Sequence, residues 1–498
     1  MSADLILYHA RLVGESQADA VAVRCGHIMA VDRTERVLRL RGPRTRVLDL
    51  AGRTLAPGFF DSHVHFLQEG LALTYELDLS PARSLREALE LLRGWAQQHP
   101  GGWVVARGWD ESVWPERRYL ERADLDRAVP QAPAVALRVD GHMVAANTLA
   151  LARCLRPEGE LVDRDRGHLW EEAAQELLAC AQPELEQLVE AAAAASRKAA
   201  SLGVTAVADM GGPQTLAALQ AAEARGLLIT RCFLYLPPSQ LPNLTELGIS
   251  RGFGGELVRI QGIGEVYVDG SLGAHTAALQ APYSDGEGCG KLLLSRDELA
   301  ALWTEVDRAG LQLAIHAIGD RAIEEVLAAG ERALFQPQAR HRVEHLELPT
   351  QGQLARLAKL GVVASMQPNF AARWSGPGRL YETRLGPERD RRSDPHAWVV
   401  AHGIPLAFGS DCMPFGPLAG LAGALHPPQP AQRLPPEEAL RAYSLGGAYA
   451  VGWEHKLGSL EVGKLADLVV LSADPTQVPG EEIQVELTFL AGKEIYSR

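Results

Sequence analysis

Long apolar runs are missing from this chain. None approaches the roughly 18–20 residues that a membrane-spanning helix needs, so no integral membrane span is expected. Positive charge is also scarce. There are 49 Lys and Arg against 62 Asp and Glu, a formal net charge of -13. That balance argues against nucleic acid or an anionic membrane surface as a partner. Cysteine is sparse: Cys25, Cys154, Cys180, Cys232, Cys289 and Cys412 are scattered, with no CxxC pair. Free thiols in a reducing compartment are expected. Met1-Ser2-Ala3-Asp4-Leu5-Ile6-Leu7 has an early acid and no basic stretch, unlike a secretory signal. The expected location is the cytoplasm. Nothing in the sequence sets the oligomeric state, and a homodimer is the working expectation.

What is present is ample. With 498 residues, 47% of them hydrophobic, the chain can build a large core and more than one domain. The first 57 residues read as short strands and tight turns: Leu5-Ile6-Leu7-Tyr8, Ala20-Val21-Ala22-Val23 and His27-Ile28-Met29-Ala30-Val31, with Arg24-Cys25-Gly26-His27 as a hairpin turn. The C-terminus has the same texture, in Ala466 to Leu471 and Val485 to Leu490. Neither end carries enough apolar surface to fold alone. Residues 1–57 and 458–498 are therefore expected to pair into one discontinuous β-sandwich.

Between them, strand-like runs alternate with helical patterns, the signature of a parallel α/β sheet. Seven runs follow residue 200: Gly203 to Ala208, Thr230 to Tyr235, Ile263 to Val268, Leu311 to His316, Arg342 to Leu346, Val362 to Met366 and Pro405 to Gly409. The segment around His63 makes eight, the number of a TIM (β/α)8 barrel. Residues 58–69 and 200–457 are assigned to that barrel. The stretch 70–199 is too long for a simple connection. It carries helical patterns (Leu85 to Gln98, Glu184 to Ala200) and strand-like pieces (Trp103 to Ala106, Ala134 to Val139). It is expected to be an inserted α+β subdomain over the barrel mouth.

The densest chemical signal is His63-Val64-His65, in Pro57-Gly58-Phe59-Phe60-Asp61-Ser62-His63-Val64-His65. In a strand, residues i and i+2 share a face, so two imidazoles so placed converge. Neutral imidazole ligates zinc and similar cations. Four further residues fall in or just after strands: Glu265, His316, His345 and Asp411. Singly each is weak, since a lone histidine is usually a surface or hydrogen-bonded residue. A barrel, however, aims its strand ends at a common centre, and the set then offers four imidazoles and two carboxylates.

The whole pattern resembles the amidohydrolase superfamily, and within it the YtcJ-like branch that includes N-substituted formamide deformylases. The resemblance rests on the His63–His65 motif, then Asp269-Gly270-Ser271-Leu272-Gly273, His316-Ala317-Ile318-Gly319-Asp320, Val343-Glu344-His345 and Gly409-Ser410-Asp411 in family order. Gly458 to Val470 is similar to the closing β-domain signature, and Gly108-Trp109-Asp110-Glu111 and Asp140-Gly141-His142 to the branch's insert. The resemblance implies one or two divalent ions, zinc first, with iron or manganese as alternatives. His63 and His65 would bind the more buried ion and His316 and His345 the second. Asp411 would ligate the first and serve as general base and acid, and a fourth-strand carboxylate would bridge.

The chain departs from that branch twice. Glu265 stands where a lysine is common, which in many superfamily members is carboxylated; glutamate supplies a shorter carboxylate directly. A mononuclear site, with Glu265 an ordinary buried acid, is the competing reading. His275 stands where arginine is frequent, and either faces substrate or is a loop histidine in solvent. His142 is a candidate donor to a developing oxyanion, a structural histidine being the alternative. Trp109 is core or pocket wall. Trp114 and Tyr119 read as core, and Cys412 as packing rather than nucleophile.

The function implied is hydrolysis of a C–N bond in a small amide, formamide or cyclic amide. Metal-activated hydroxide would attack while Asp411 shuttles the proton. Ester or lactone hydrolysis, or ring deamination, on the same site is the alternative. A catalytically silent regulatory relative is another.

Overall fold

Eight short runs rich in Val, Ile, Ala, Leu and Phe become the strands of one parallel sheet. They are β1 (Phe59–Val64), β2 (Val204–Met210), β3 (Arg231–Leu236), β4 (Val258–Tyr267), β5 (Gln312–Ala317), β6 (Arg342–His345), β7 (Val363–Met366) and β8 (Leu406–Phe408). The computed structural model describes residues 1–14, 17–138, 143–159, 161–181, 183–478 and 482–498. The eight strands pair in chain order, every neighbour parallel. Every residue of β2, β3 and β5 is buried, as expected for strands covered on both faces.

The sheet curls back on itself. Past the end of β8, the Asp411 amide donates to the His63 carbonyl at 2.8 Å, and the Ser410 amide donates to Asp61 Oδ1 at 2.8 Å. Gly409 makes this passage feasible: a Cβ there would lie 2.4 Å from the His63 nitrogen, so only glycine fits. The expected TIM-type barrel is the fold.

β4 begins at Val258, upstream of the expected Ile263. Arg259 and Gln261 interrupt the apolar run there and hide the strand from a hydropathy reading. Gln261 is nonetheless buried, because its amide nitrogen donates to Gln312 Oε1 at 3.0 Å and to the Val451 carbonyl at 3.2 Å.

Two further sheets are built from the chain ends. Leu5–Tyr8, Ala20–Arg24, His27–Asp32 and Arg46–Asp49 form one of four strands. The other combines Arg11–Leu12 and Thr54–Pro57 with Leu468–Leu471, Val485–Leu490 and Lys493–Ser497. Leu5, Leu7, Val21 and Val23 of the first pack with Leu55, Leu468, Val470 and Phe489 of the second in one buried core.

Residues 1–66 and 195–498 form one compact unit and 67–194 a second. Within the second, a six-stranded sheet that includes Val104–Trp109 and Ala134–Arg138 packs against the helix Leu85–Gln98. Ser84 starts that helix by accepting the Glu87 amide at 3.2 Å. Among the described residues no helix is long and apolar enough to cross a membrane, and all six cysteines are free.

A buried ion pair ties β3 to the C-terminal sheet. Arg231 donates to both oxygens of Asp467, at 2.8 and 3.2 Å, and the side chains are 4% and 3% exposed. Such a pair is dangerous to break, because the survivor is a charge without water. Arg231→Met is expected to destabilise this unit by about 3–5 kcal/mol, read as a lowered thermal unfolding midpoint. The double variant with Asp467→Leu should recover most of the loss; a double variant no better than the single would refute this account.

Candidate metal centre

Six side chains from five strand ends meet at the C-terminal rim of the barrel. His63 lies in β1 and His65 just past it, Glu265 in β4, His316 in β5, His345 at the end of β6 and Asp411 just past β8. The rim is where this fold gathers chemistry. His65 Nε2 lies 3.3 Å and His63 Nε2 3.7 Å from Asp411 Oδ1. His63 Nε2 lies 3.7 Å from Glu265 Oε2. His316 Nδ1 and His345 Nε2 both reach Glu265 Oε1, at 2.8 and 2.9 Å. Two triads share His63: His63, His65 and Asp411 form one, His63, Glu265 and His345 the other, with ligand atoms within 4.8 Å of one another.

Strand parity alone would turn His345 to the opposite face from Glu344. His345 instead leaves β6 with φ +68°, and its ring comes within 5.0 Å of that of His63. Asp411 likewise has φ +50°. Left-handed backbone at non-glycine residues is uncommon and concentrates at functional positions.

Each imidazole is oriented from outside. His63 Nδ1 lies 2.8 Å from Glu344 Oε2, His345 Nδ1 2.8 Å from Gln367 Oε1, His65 Nδ1 3.2 Å from the Met210 carbonyl and His316 Nε2 3.1 Å from the Gly270 carbonyl. Facing only acceptors, each outer nitrogen carries the hydrogen, and in the neutral ring the lone pair points inward. That is the arrangement of metal-binding histidine. His63 Nε2 is fully buried and has no hydrogen-bond partner. An orphaned lone pair facing two carboxylates fits a divalent cation, for which imidazole and carboxylate are suitable donors.

Glu344, in the Val343-Glu344-His345 motif, has a task that the motif alone does not state. It is buried, and Arg342 donates Nε to its Oε1 at 2.6 Å and Nη2 to its Oε2 at 2.9 Å. Burial pushes the carboxyl up, but Arg342 and His63 outweigh it and hold the group at about 2. Arg342 is itself satisfied by the Ser62 carbonyl, Ser365 Oγ and Tyr235 Oη. The sequence signal was available: Arg342 and Glu344 share a strand face immediately before a histidine. Asp61 and Asp209 were missed as well. Asp61 Oδ1 accepts the Ser410 amide and Asp209 Oδ1 the Phe66 amide, which pins the chain on both sides of the His-Val-His segment.

The other candidates fall out differently. Trp109 is not a pocket wall; it has no exposed surface, its indole nitrogen donates to the Ala136 carbonyl at 2.9 Å, and it packs on Trp114. Its size and a ready carbonyl in the neighbouring strand make it core of the second unit. Trp114 is core too, whereas Tyr119 is 41% exposed. His142 lies outside the described residues. His275 stands in a loop with φ +58°, Nε2 3.0 Å from Asp285 Oδ1 and the ring edge on Tyr283. Cys412 Sγ lies 3.9 Å from the His65 carbonyl.

The charges of the site offset one another. Burial pushes the imidazoles of His65 and His316 down, but Asp411 and Glu265 respectively outweigh it and raise both to about 9. Glu265 is held well below the usual carboxylate range by His63, His316 and His345, and Asp411 below it by His65, His63 and His345, each against the opposing effect of burial. A cation must displace those protons. Uptake by metal-stripped protein should therefore strengthen as pH rises to about 9 and then level. Calorimetry in buffers of different ionisation enthalpy should detect protons released at pH 7; pH-independent uptake would contradict the assignment. Glu344→Gln, which weakens the hold on His63, should lower cation affinity about 10–100-fold. Competition against a chelator measures it, with circular dichroism as the control for folding.

Residues 46–496 match the amidohydrolase family. The putative amidohydrolase YtcJ of Bacillus subtilis (strain 168) is 29% identical, covering 97% of this chain and 96% of that one. The N-substituted formamide deformylase of Arthrobacter pascens is 28% identical over 97% and 96%. A solved structure of an uncharacterized metal-dependent hydrolase from Pyrococcus furiosus superposes with a TM-score of 0.85 at 29% identity, covering 95% of this chain and 99% of that one. With its rim of histidines and acids suited to a divalent metal, this chain belongs to the amidohydrolase family and has a hydrolytic function.

Proposed function

We propose that the protein hydrolyses a carbon–nitrogen bond of a small amide, formamide or cyclic amide at this centre. The observation that supports the reading most is the convergence of four externally oriented imidazoles on two carboxylates at one rim. The names of two similar proteins, an amidohydrolase and a formamide deformylase, favour the bond type.

In this reading His63, His65 and Asp411 hold one divalent ion. Glu265, His316 and His345 hold a second, and Glu265 lies between, with Oε2 towards His63 and Oε1 towards the other two histidines. Zinc suits this donor set, with iron and manganese as alternatives. A bound ion would supply Lewis acidity, polarising a carbonyl and lowering the pKa of water from roughly 15.7 towards ~7.

The remaining work falls to the chain. Asp411 stays anionic, because His65, His63 and His345 offset the opposing effect of burial. Its Oδ1 faces His65 and His63, which leaves Oδ2 to take a proton from the attacking water. The water oxygen bonds to the carbonyl carbon, the C–N bond breaks, and the Asp411 carboxyl passes the proton to the departing nitrogen. An amine leaves readily only when so protonated. The products are a carboxylic acid, formic acid in the formamide case, and an amine. His65, at 37% the most exposed of the six side chains, favours substrate approach on its side.

The purified protein should contain at least about one equivalent of zinc, iron or manganese by elemental analysis, and a screen of N-acyl amines, N-formyl amines and cyclic amides should yield a substrate. Asp411→Asn should then lower kcat by about 10²–10⁴-fold while substrate binding persists. Unchanged turnover in that variant would remove Asp411 from the proton shuttle.

A further inference from the structure

We infer that Asn369 is a positioning residue for Asp411; the inference rests on the reading above, in which Asp411 ligates an ion. β7 contributes none of the six rim side chains, yet the segment that leaves it reaches towards both neighbouring strands. On the β6 side, Gln367 Oε1 accepts from His345 Nδ1 at 2.8 Å. On the β8 side, Asn369, in the helix Pro368–Trp374, donates Nδ2 to the Ser410 carbonyl and to the Met413 carbonyl, both at 2.9 Å. Those carbonyls flank Asp411, one residue before it and two after. Both hydrogens of one buried amide are thus spent on a single loop. The orientation of the amide follows from its partners. Turned over, its oxygen would face two carbonyl oxygens, and all three only accept.

The loop needs such a tie. Asp411 and Cys412 are both left-handed, with φ +50° and +55°. Residues other than glycine hold that conformation only where their surroundings enforce it. From below, the Asp411 amide bonds the His63 carbonyl and the Ser410 amide bonds Asp61. Within the loop, the Met413 amide donates to the Ser410 carbonyl at 3.1 Å. Asn369 joins the carbonyls at both ends of the turn to a helix outside it. The amide oxygen is buried and has no partner among the described residues. Asn369 is therefore matched to this loop through its two donors. The consequence reaches the Asp411 carboxylate, whose Oδ1 lies 3.3 Å from His65 Nε2 and 3.7 Å from His63 Nε2. A bond from carboxylate to zinc is only about 2.0–2.2 Å long. A backbone shift of about 1 Å would take that oxygen off the ion, and misplacements of this size carry large penalties.

Asn369→Leu removes both donors at similar side-chain size, and Asn369→Ser retains one. Metal-stripped wild type, these two variants and Asp411→Asn would be titrated with Co2+, following visible absorption and competition against a chelator. The equivalent that Asp411→Asn weakens should bind about tenfold more weakly in Asn369→Leu, at the lower end for residues that orient ligands, with an altered absorption band. Asn369→Ser should fall between wild type and Asn369→Leu. Hydrogen exchange supplies a readout without metal. In Asn369→Leu the Asp411 amide should exchange faster. The Ala364 amide, bonded to the Pro405 carbonyl at 2.9 Å, should exchange as in wild type. Wild-type Co2+ binding in Asn369→Leu, or equal acceleration of both amides, would overturn the inference. Should Asn369→Leu not fold, wild-type Co2+ binding in Asn369→Ser overturns it instead. If Asp411→Asn itself binds Co2+ as wild type does, Asp411 is no ligand and the inference falls with that reading. If Asp411→Asn binds weakly while Asn369→Leu does not, only the role of Asn369 falls.

Discussion

Four imidazoles can present lone pairs to one point only when each has committed its other nitrogen to the protein. Here those commitments are made to Glu344, Gln367 and the carbonyls of Met210 and Gly270. The arrangement around His63 is the most demanding, because the ring, the carboxylate of Glu344 and the guanidinium of Arg342 are all removed from water. A buried charge is tolerable when it is paired and its remaining donors and acceptors are satisfied. Arg342 meets that condition through Glu344, Ser62, Ser365 and Tyr235. The metal centre therefore stands on a polar network inside the barrel, and His63 Nε2, which faces the two carboxylates, is left without a hydrogen-bond partner.

The barrel supplies the second constraint. Parallel strands that close on themselves bring residues hundreds of positions apart to one rim, as Asp411 and His63 show through their backbone hydrogen bond. Closure needs the bare backbone of Gly409 against His63. Left-handed φ at His345 and Asp411 then swings side chains that regular strand geometry would direct elsewhere. Fold and site are thus coupled: the residues that finish β6 and β8 are also those that complete the ligand set.

Much of this was legible in the linear chain. The eight apolar runs were visible because strands buried on both faces read as continuous hydrophobic segments. β4 reads too short in the sequence because Gln261 satisfies its polarity inside the structure, through Gln312 and the Val451 carbonyl, which hydropathy cannot register. Trp109 drew attention through its neighbouring motif, yet its indole is spent on the Ala136 carbonyl within a core. Glu344 shows in the sequence only as an acid that shares a strand face with Arg342 before a histidine, a signal that does not say which nitrogen it holds.

The sequence by itself determined the residue types, their order along the strands and, through motif resemblance, the family. Those properties are local or additive along the chain, and spacing of i and i+2 already placed His63 and His65 together. Only the tertiary structure decided which nitrogen of each histidine faces inward, which oxygen of Glu265 meets which triad, and that Arg342 sustains the charge of Glu344. Those outcomes depend on distances between strands and on exclusion of water, neither of which has a counterpart in a linear chain.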